Sequence, residues 1–179
     1  ITHTYYSVER REIEVHVFGS GGRVVLVMAG VHGDEKDGVD VVRALFDTTR
    51  ALPDAALGGM RLVLMPLANP DGLAAGTRHN ARGIDLNRNF PSEEFGTGEK
   101  SGQYYGGETA ASEPETRAIM SVIDEYRPEL IISLHAPLAC VNYNGPSLDV
   151  AERLSAMCGL PAVGDIGYPC PGSMGNYYG

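Results

Sequence analysis

Cysteine is scarce in this 179-residue chain: Cys140, Cys158 and Cys170 are odd in number and show no paired spacing. That excludes a disulfide framework and a cysteine-ligated structural metal, and the three read as free thiols in a reducing compartment. Basic residues are outnumbered, 14 Lys and Arg against 23 Asp and Glu, for a net charge of −9. Such a chain lacks the basic face that a phosphate backbone requires, so nucleic acid is not an expected partner, although a local positive pocket remains compatible. No apolar run approaches the roughly 20 residues that span a bilayer, so no membrane partner is expected. Ile1-Thr2-His3-Thr4 does not open a charged-then-apolar targeting segment. Repeats, low-complexity tracts and an interdomain linker are also missing, which leaves residues 1–179 as a single domain.

What is present is an alternation of strand-like and helix-like segments. Residues 13–18 alternate Ile13, Val15 and Val17 with Glu14 and His16, a strand pattern, and Gly19-Ser20-Gly21-Gly22 predicts a hairpin-type turn. Residues 23–29 are almost continuously apolar and β-branched, as a buried central strand should be. A helix over about 34–47 follows, with Val39, Val42 and Phe46 on one face. Residues 60–67 predict another strand, closed by a turn at Asn69-Pro70-Asp71-Gly72. Residues 73–109 have no sustained period and read as a functional loop. Ser112-Glu113-Pro114-Glu115 reads as a capping box, Ser112 at N-cap and Glu115 at N3, opening a helix with the stripe Ile119, Val122, Ile123 and Tyr126 that Pro128 ends. Residues 129–134 predict a strand, and 147–158 a helix stopped by Gly159. The fold class is therefore α/β, a mixed, mainly parallel central sheet flanked by helices.

Two constellations carry chemistry. His32 and Glu35 follow the apolar run 24–29, and His135 follows Leu130-Ile131-Ile132. Two imidazoles and a carboxylate with a fourth position open make a catalytic zinc site, and strand ends are where α/β sheets gather ligands. The second is Arg78-His79-Asn80-Ala81-Arg82-Gly83-Ile84-Asp85-Leu86-Asn87-Arg88-Asn89-Phe90-Pro91. Three arginines clustered with three asparagines in so acidic a chain suit an anion clamp for a substrate carboxylate, since guanidinium is a planar fork and Asn87 can add amide donors beside Arg88.

Taken in order, HxxE, Asn-Pro-Asp-Gly, Arg-x-Asn-x-x-Gly-Ile-Asp-Leu-Asn-Arg-Asn-Phe, Ser-Glu-Pro-Glu-Thr and Ser-Leu-His resemble the zinc carboxypeptidase family. Within it, the chain is most similar to the bacterial branch that cleaves γ-D-glutamyl–diaminopimelate bonds in murein peptides. The resemblance implies one zinc ion held by His32, Glu35 and His135, and a terminal carboxylate held by Asn87 and Arg88. It implies carbonyl polarisation by Arg78, with Arg82 as the alternative, and a substrate-capping tyrosine at Tyr168. It also implies a bacterial protein, expected in the cytoplasm, whose partner is a peptide with a free carboxylate.

One departure stands out. The family's general base is a glutamate on a late strand shortly after a Gly-Ser segment such as Gly172-Ser173, and no glutamate of this chain replaces it convincingly. The expectation is a domain truncated at its C-terminus, with an unpaired sheet edge, that binds zinc but hydrolyses poorly. The alternatives are an N-acyl amino acid deacylase of the succinylglutamate desuccinylase or aspartoacylase type, which shares HxxE and an Asp-Leu-Asn-Arg element, a catalytically inactive zinc-containing peptide-binding module, and a metal-free α/β domain.

Overall fold

Alternation of apolar and polar residues sets the second strand. In the computed structural model, which describes residues 2–179, β1 (Thr2–Tyr6) runs antiparallel to β2 (Glu12–Phe18), with Thr2 opposite His16 and Tyr6 opposite Glu12. The apolar run becomes β3 (Arg23–Ala29), and α1 (Lys36–Arg50) follows it. Next come β4 (Met60–Met65), α2 (Pro70–Ala75), the long irregular segment, and α3 (Pro114–Tyr126). The chain continues through β5 (Leu130–Leu134), β6 (Val141–Asn142), α4 (Leu148–Cys158), β7 (Ala162–Val163) and α5 (Met174–Tyr178).

The main sheet has the order β1-β2-β4-β3-β5. β3 is parallel to β4 on one side and to β5 on the other, while β2 is antiparallel to β4. The mixed α/β sheet expected from sequence is thus present. The hairpin is not: β4 lies between β2 and β3, so Gly19–Gly22 joins strands that do not pair. The reason is that β3 is apolar on both faces and takes a parallel neighbour along each edge, which sends β2 one place outward.

Side-chain alternation along β3 divides the core into two layers. Val24, Leu26 and Met28 pack with Ile13, Val15, Val63 and Met65 under Ile119, Val122 and Ile123 of α3. Val27 and Ala29 face the other way, onto Val39 and Val42 of α1, with Leu62 and Leu64 alongside. β5 is an edge of this sheet, and its five residues are all half-buried.

Two local signals act differently from the sequence reading. Asn69-Pro70-Asp71-Gly72 starts α2 instead of a turn: the Asn69 side chain accepts from Gly72 N at 2.9 Å, and Pro70 occupies the first helical position. The capping box does not form. Glu113 occupies the N-cap of α3, Ser112 Oγ donates to Glu113 Oε1 at 2.8 Å, and Glu115 turns inward to accept from Val8 N at 3.0 Å. Burial decides this outcome, because Asn80 Nδ2 also donates to Glu113 Oε2 and Glu115 Oε2 at 2.7 and 3.1 Å. β1, β6, β7 and α5 had no clear signature, being short or weakly patterned. Cys140, Cys158 and Cys170 are free thiols. Among the described residues, no helix is long and apolar enough to cross a membrane.

Asp71, nearly sealed from solvent, ties the β1–β2 turn to α2. Its carboxylate accepts from Ser7 Oγ at 2.7 Å, Glu9 N at 2.9 Å and Arg11 Nη1 at 2.7 Å. Burial pushes this carboxyl up, but the Glu9 amide, Arg11 and Ser7 outweigh it and hold the group below the 3.8 of a free aspartate. Arg11 is half-exposed, so its share is screened. Replacing Asp71 with Ala should cost about 2–3 kcal/mol in urea unfolding at pH 7, because buried donors lose their acceptor. A depressed carboxyl stabilises the fold above its unfolded value. The difference between wild type and Asp71→Ala should therefore shrink as pH falls below 3.8; a gap unchanged down to pH 2 would contradict the assignment.

Candidate metal centre

Parallel pairing brings the trio together. Ala29, the last residue of β3, stands opposite Leu134, the last of β5, so the chain leaves both strands at the same rim with His32 on one exit and His135 on the other. Glu35 ends the same turn as His32, immediately before α1. The turn lies flat on α2 because Gly33 has no side chain: a Cβ there would sit 2.0 Å from the Gly72 carbonyl carbon. Gly33 N also donates to Arg78 O at 3.3 Å.

His32 Nδ1 is 2.9 Å from Glu35 Oε1, His135 Nδ1 is 2.9 Å from Glu35 Oε2, and the two Nδ1 atoms are 3.2 Å apart. Ligands about 2.1 Å from a tetrahedral zinc ion stand roughly 3.4 Å from one another. The three donors therefore fit one ion with an opening of a few tenths of an ångström, and their N, N, O chemistry is that of a catalytic zinc site. His32 and Glu35 are buried, whereas His135 is exposed, so the cluster meets solvent on one side. Burial pushes the Glu35 carboxyl up, yet hydrogen bonds from His135 and His32 prevail and bring it down to about 2. Burial likewise pushes His32 down, but Asp85 and Glu35 carry it above its ordinary value.

Asp85 was missed as a site residue, although it lies in the quoted arginine-rich run. Fully buried between the core residues Ile84 and Leu86, it places Oδ1 3.2 Å from His32 Nε2 and accepts from Asn87 N at 2.9 Å. Its Oδ2 accepts from Arg78 Nε and Nη2 at 3.0 and 2.9 Å. An acid flanked by two apolar residues was the available signal. A carboxylate on the far nitrogen of a ligating imidazole fixes its tautomer and ring orientation. Ser133 Oγ stands in a similar place, 3.1 Å from His135 Nε2.

The arginines separate. Arg78 reaches the trio, its Nη1 3.8 Å from Glu35 Oε1. Arg88 is buried, bonded through Nη1 to Asn87 O at 2.7 Å and through Nη2 to Cys170 Sγ at 3.4 Å, with no carboxylate in contact among the described residues. Asn87 has its Oδ1 taken by Met174 N at 3.0 Å, so the group it can offer is the NH2. Arg82 points elsewhere: its guanidinium is largely exposed and faces Glu113 Oε2 at 3.5 Å. Tyr168 is 37% exposed and stacks on Tyr104, with ring centroids 5.9 Å apart. Tyr104 also lies under Arg78 and Arg88, at 5.3 and 5.1 Å, and had no place in the sequence reading.

Comparison with known proteins agrees with this geometry. The model of the zinc carboxypeptidase family matches residues 1–146. Murein peptide amidase A of Escherichia coli K12 is 35% identical over 163 residues, a match covering 85% of this chain and 64% of that protein. The chain thus spans a little under two thirds of this curated relative. The crystal structure of murein-tripeptide amidase from E. coli O157 superposes with a TM-score of 0.79 at 28% identity, over 98% of this chain and 77% of the other. Carboxypeptidase A from Helicoverpa armigera shares the fold, with a TM-score of 0.86 at 19% identity over 99% of this chain and 56% of its own. Fold, ordered motifs and converging donors lead to one conclusion: the chain belongs to the zinc carboxypeptidase family.

Proposed function

We propose that these residues form the metal- and carboxylate-binding part of a zinc-dependent amidase acting on a peptide with a free carboxylate. The substrate class is a murein peptide cut at its γ-D-glutamyl–diaminopimelate bond, a reading supported by the identity to murein peptide amidase A. The observation that carries it is a buried arginine, Arg88, with no carboxylate in contact among the described residues, in a segment whose Asp85 also holds the trio's His32. A buried cation with no carboxylate in direct contact is costly, and an incoming carboxylate relieves that cost.

Each side chain then has a task. His32, Glu35 and His135 would hold zinc, and the chemistry it supplies when bound is Lewis acidity toward a carbonyl and a water pKa lowered to about 7. Asp85 keeps the ring of His32 aimed at the cluster. Arg78, fixed by Asp85, offers its remaining N–H groups to the oxyanion that develops on the attacked carbonyl. Arg88 and the Asn87 NH2 orient the substrate by its carboxylate, and Tyr168 covers it. Arg82, held at Glu113, serves none of these steps.

Proton transfer is the step for which these residues leave least provision. Among the described residues, the carboxylates in contact with the trio are those of Glu35 and Asp85. One is a ligand and the other is saturated by His32, Arg78 and Asn87 N. A positioned base contributes about 10²–10⁴-fold in rate. Residues 1–179 should therefore bind zinc yet turn over slowly.

Isothermal titration should give one zinc per chain, with affinity largely abolished in His135→Ala; equal affinity in that variant would remove the site. Asp85→Asn should bind zinc roughly 10–100-fold more weakly while remaining folded, since its task is to orient His32. Hydrolysis of a murein tripeptide and of N-succinylglutamate, by residues 1–179 and by a chain extended to the length of the relatives, tests the substrate. Tripeptide cleavage that is fast only in the longer chain is the expected result. Cleavage of N-succinylglutamate instead would establish a deacylase, and zinc binding without hydrolysis of either compound by both chains would establish a binding module.

A further inference from the structure

The segment 99–107 is tied to the strip that carries Asp85 and Arg88. Asp85 N donates to Tyr105 O at 2.8 Å and Asn89 Nδ2 donates to Gly106 O at 2.8 Å, while within the segment Tyr104 N donates to Glu99 Oε2 at 3.2 Å. Contact at Gly106 is so close that a Cβ there would lie 2.0 Å from Arg88 O, so the approach requires glycine. These ties deliver one aromatic ring to two cations. The Tyr104 ring centroid is 5.3 Å from the Arg78 guanidinium carbon and 5.1 Å from that of Arg88. The Tyr168 ring stacks on it at 5.9 Å, with 28° between the planes.

We propose that Tyr104 is a positioning residue of the carboxylate site, holding Arg78 and Arg88 on its ring and seating Tyr168 beside them. This rests on the reading of Arg88 as a substrate-carboxylate ligand. Two guanidiniums share this corner, and among the described residues the one carboxylate hydrogen-bonded to either of them is Asp85, which is bonded to Arg78. The electron-rich face of an aromatic ring attracts a cation without neutralising it. Tyr104 therefore restrains Arg88 while leaving its charge for the ligand, which a glutamate at the same place would quench. Through its stack, the same ring gives the covering tyrosine a defined seat next to the arginines. Restraining the guanidinium and its neighbour in advance lowers the ordering cost of binding.

The test uses N-acetyl-L-alanine as a simple carboxylate probe, titrated into the 179-residue chain and followed through the arginine Nε–H resonances. Wild type should respond at Arg88. Tyr104→Leu should bind roughly tenfold more weakly, and Tyr104→Phe, which keeps the ring, should recover to within about twofold of wild type. A second reading needs no variant: in wild type, the δ-protons of Arg78 and Arg88 should be shifted upfield by the ring. Equal affinity in folded Tyr104→Leu, failure of Tyr104→Phe to recover, or unshifted δ-protons in wild type would each overturn the role of Tyr104. Absence of any wild-type response to the probe would overturn the carboxylate reading itself, and this role with it.

Discussion

The site depends on one buried carboxylate. Asp85 has no exposure to solvent, and its two oxygens serve His32, Arg78 and the backbone of Asn87. A charge so placed is tolerable only when fully paired. Here the pairing joins two parts of the structure: one bond orients the ring of His32 in the cluster, another holds Arg78, and the third shapes the short turn that carries Asn87 and Arg88. Removing this group would loosen the His32–Glu35–His135 cluster and the Asn87–Arg88 turn together.

Around that junction the sheet does the coarse positioning. β3 and β5 are parallel neighbours in register from Val25 and Leu130 to Ala29 and Leu134. Their exits therefore open at one rim, and two histidines separated by about a hundred positions in sequence come within hydrogen-bond range. α1 and α3 cover opposite faces of the sheet, so this rim is where side chains can meet both each other and solvent. Fine positioning comes from the irregular segment, which is long but firmly held. Asn89 alone bonds Gly106 O, Thr109 O, Ser112 Oγ and Glu113 N.

Much of this was legible before any coordinates. Continuous β-branched character marked β3 as central, and donor residues placed just after strand-like runs marked the trio. The errors share a cause, which is that local chemistry does not report burial. Asn69-Pro70 serves a turn or a helix start equally well, and tertiary packing selected the helix. Glu115 has the spacing of a capping residue, but a buried asparagine and a distant backbone amide claimed it. Gly19–Gly22 looked like a hairpin because strand order is a property of the whole sheet. Asp85 and Tyr104 were hidden for a related reason: each meets partners supplied by other segments.

A crystal structure grown with zinc and phased at the zinc absorption edge tests the central claim most directly. The account predicts one strong anomalous peak about 2.0–2.2 Å from Nδ1 of His32, Nδ1 of His135 and a carboxylate oxygen of Glu35, with Asp85 still on the opposite nitrogen of His32. A zinc peak away from these three side chains, or ligation of His32 through the nitrogen that Asp85 holds, would contradict it.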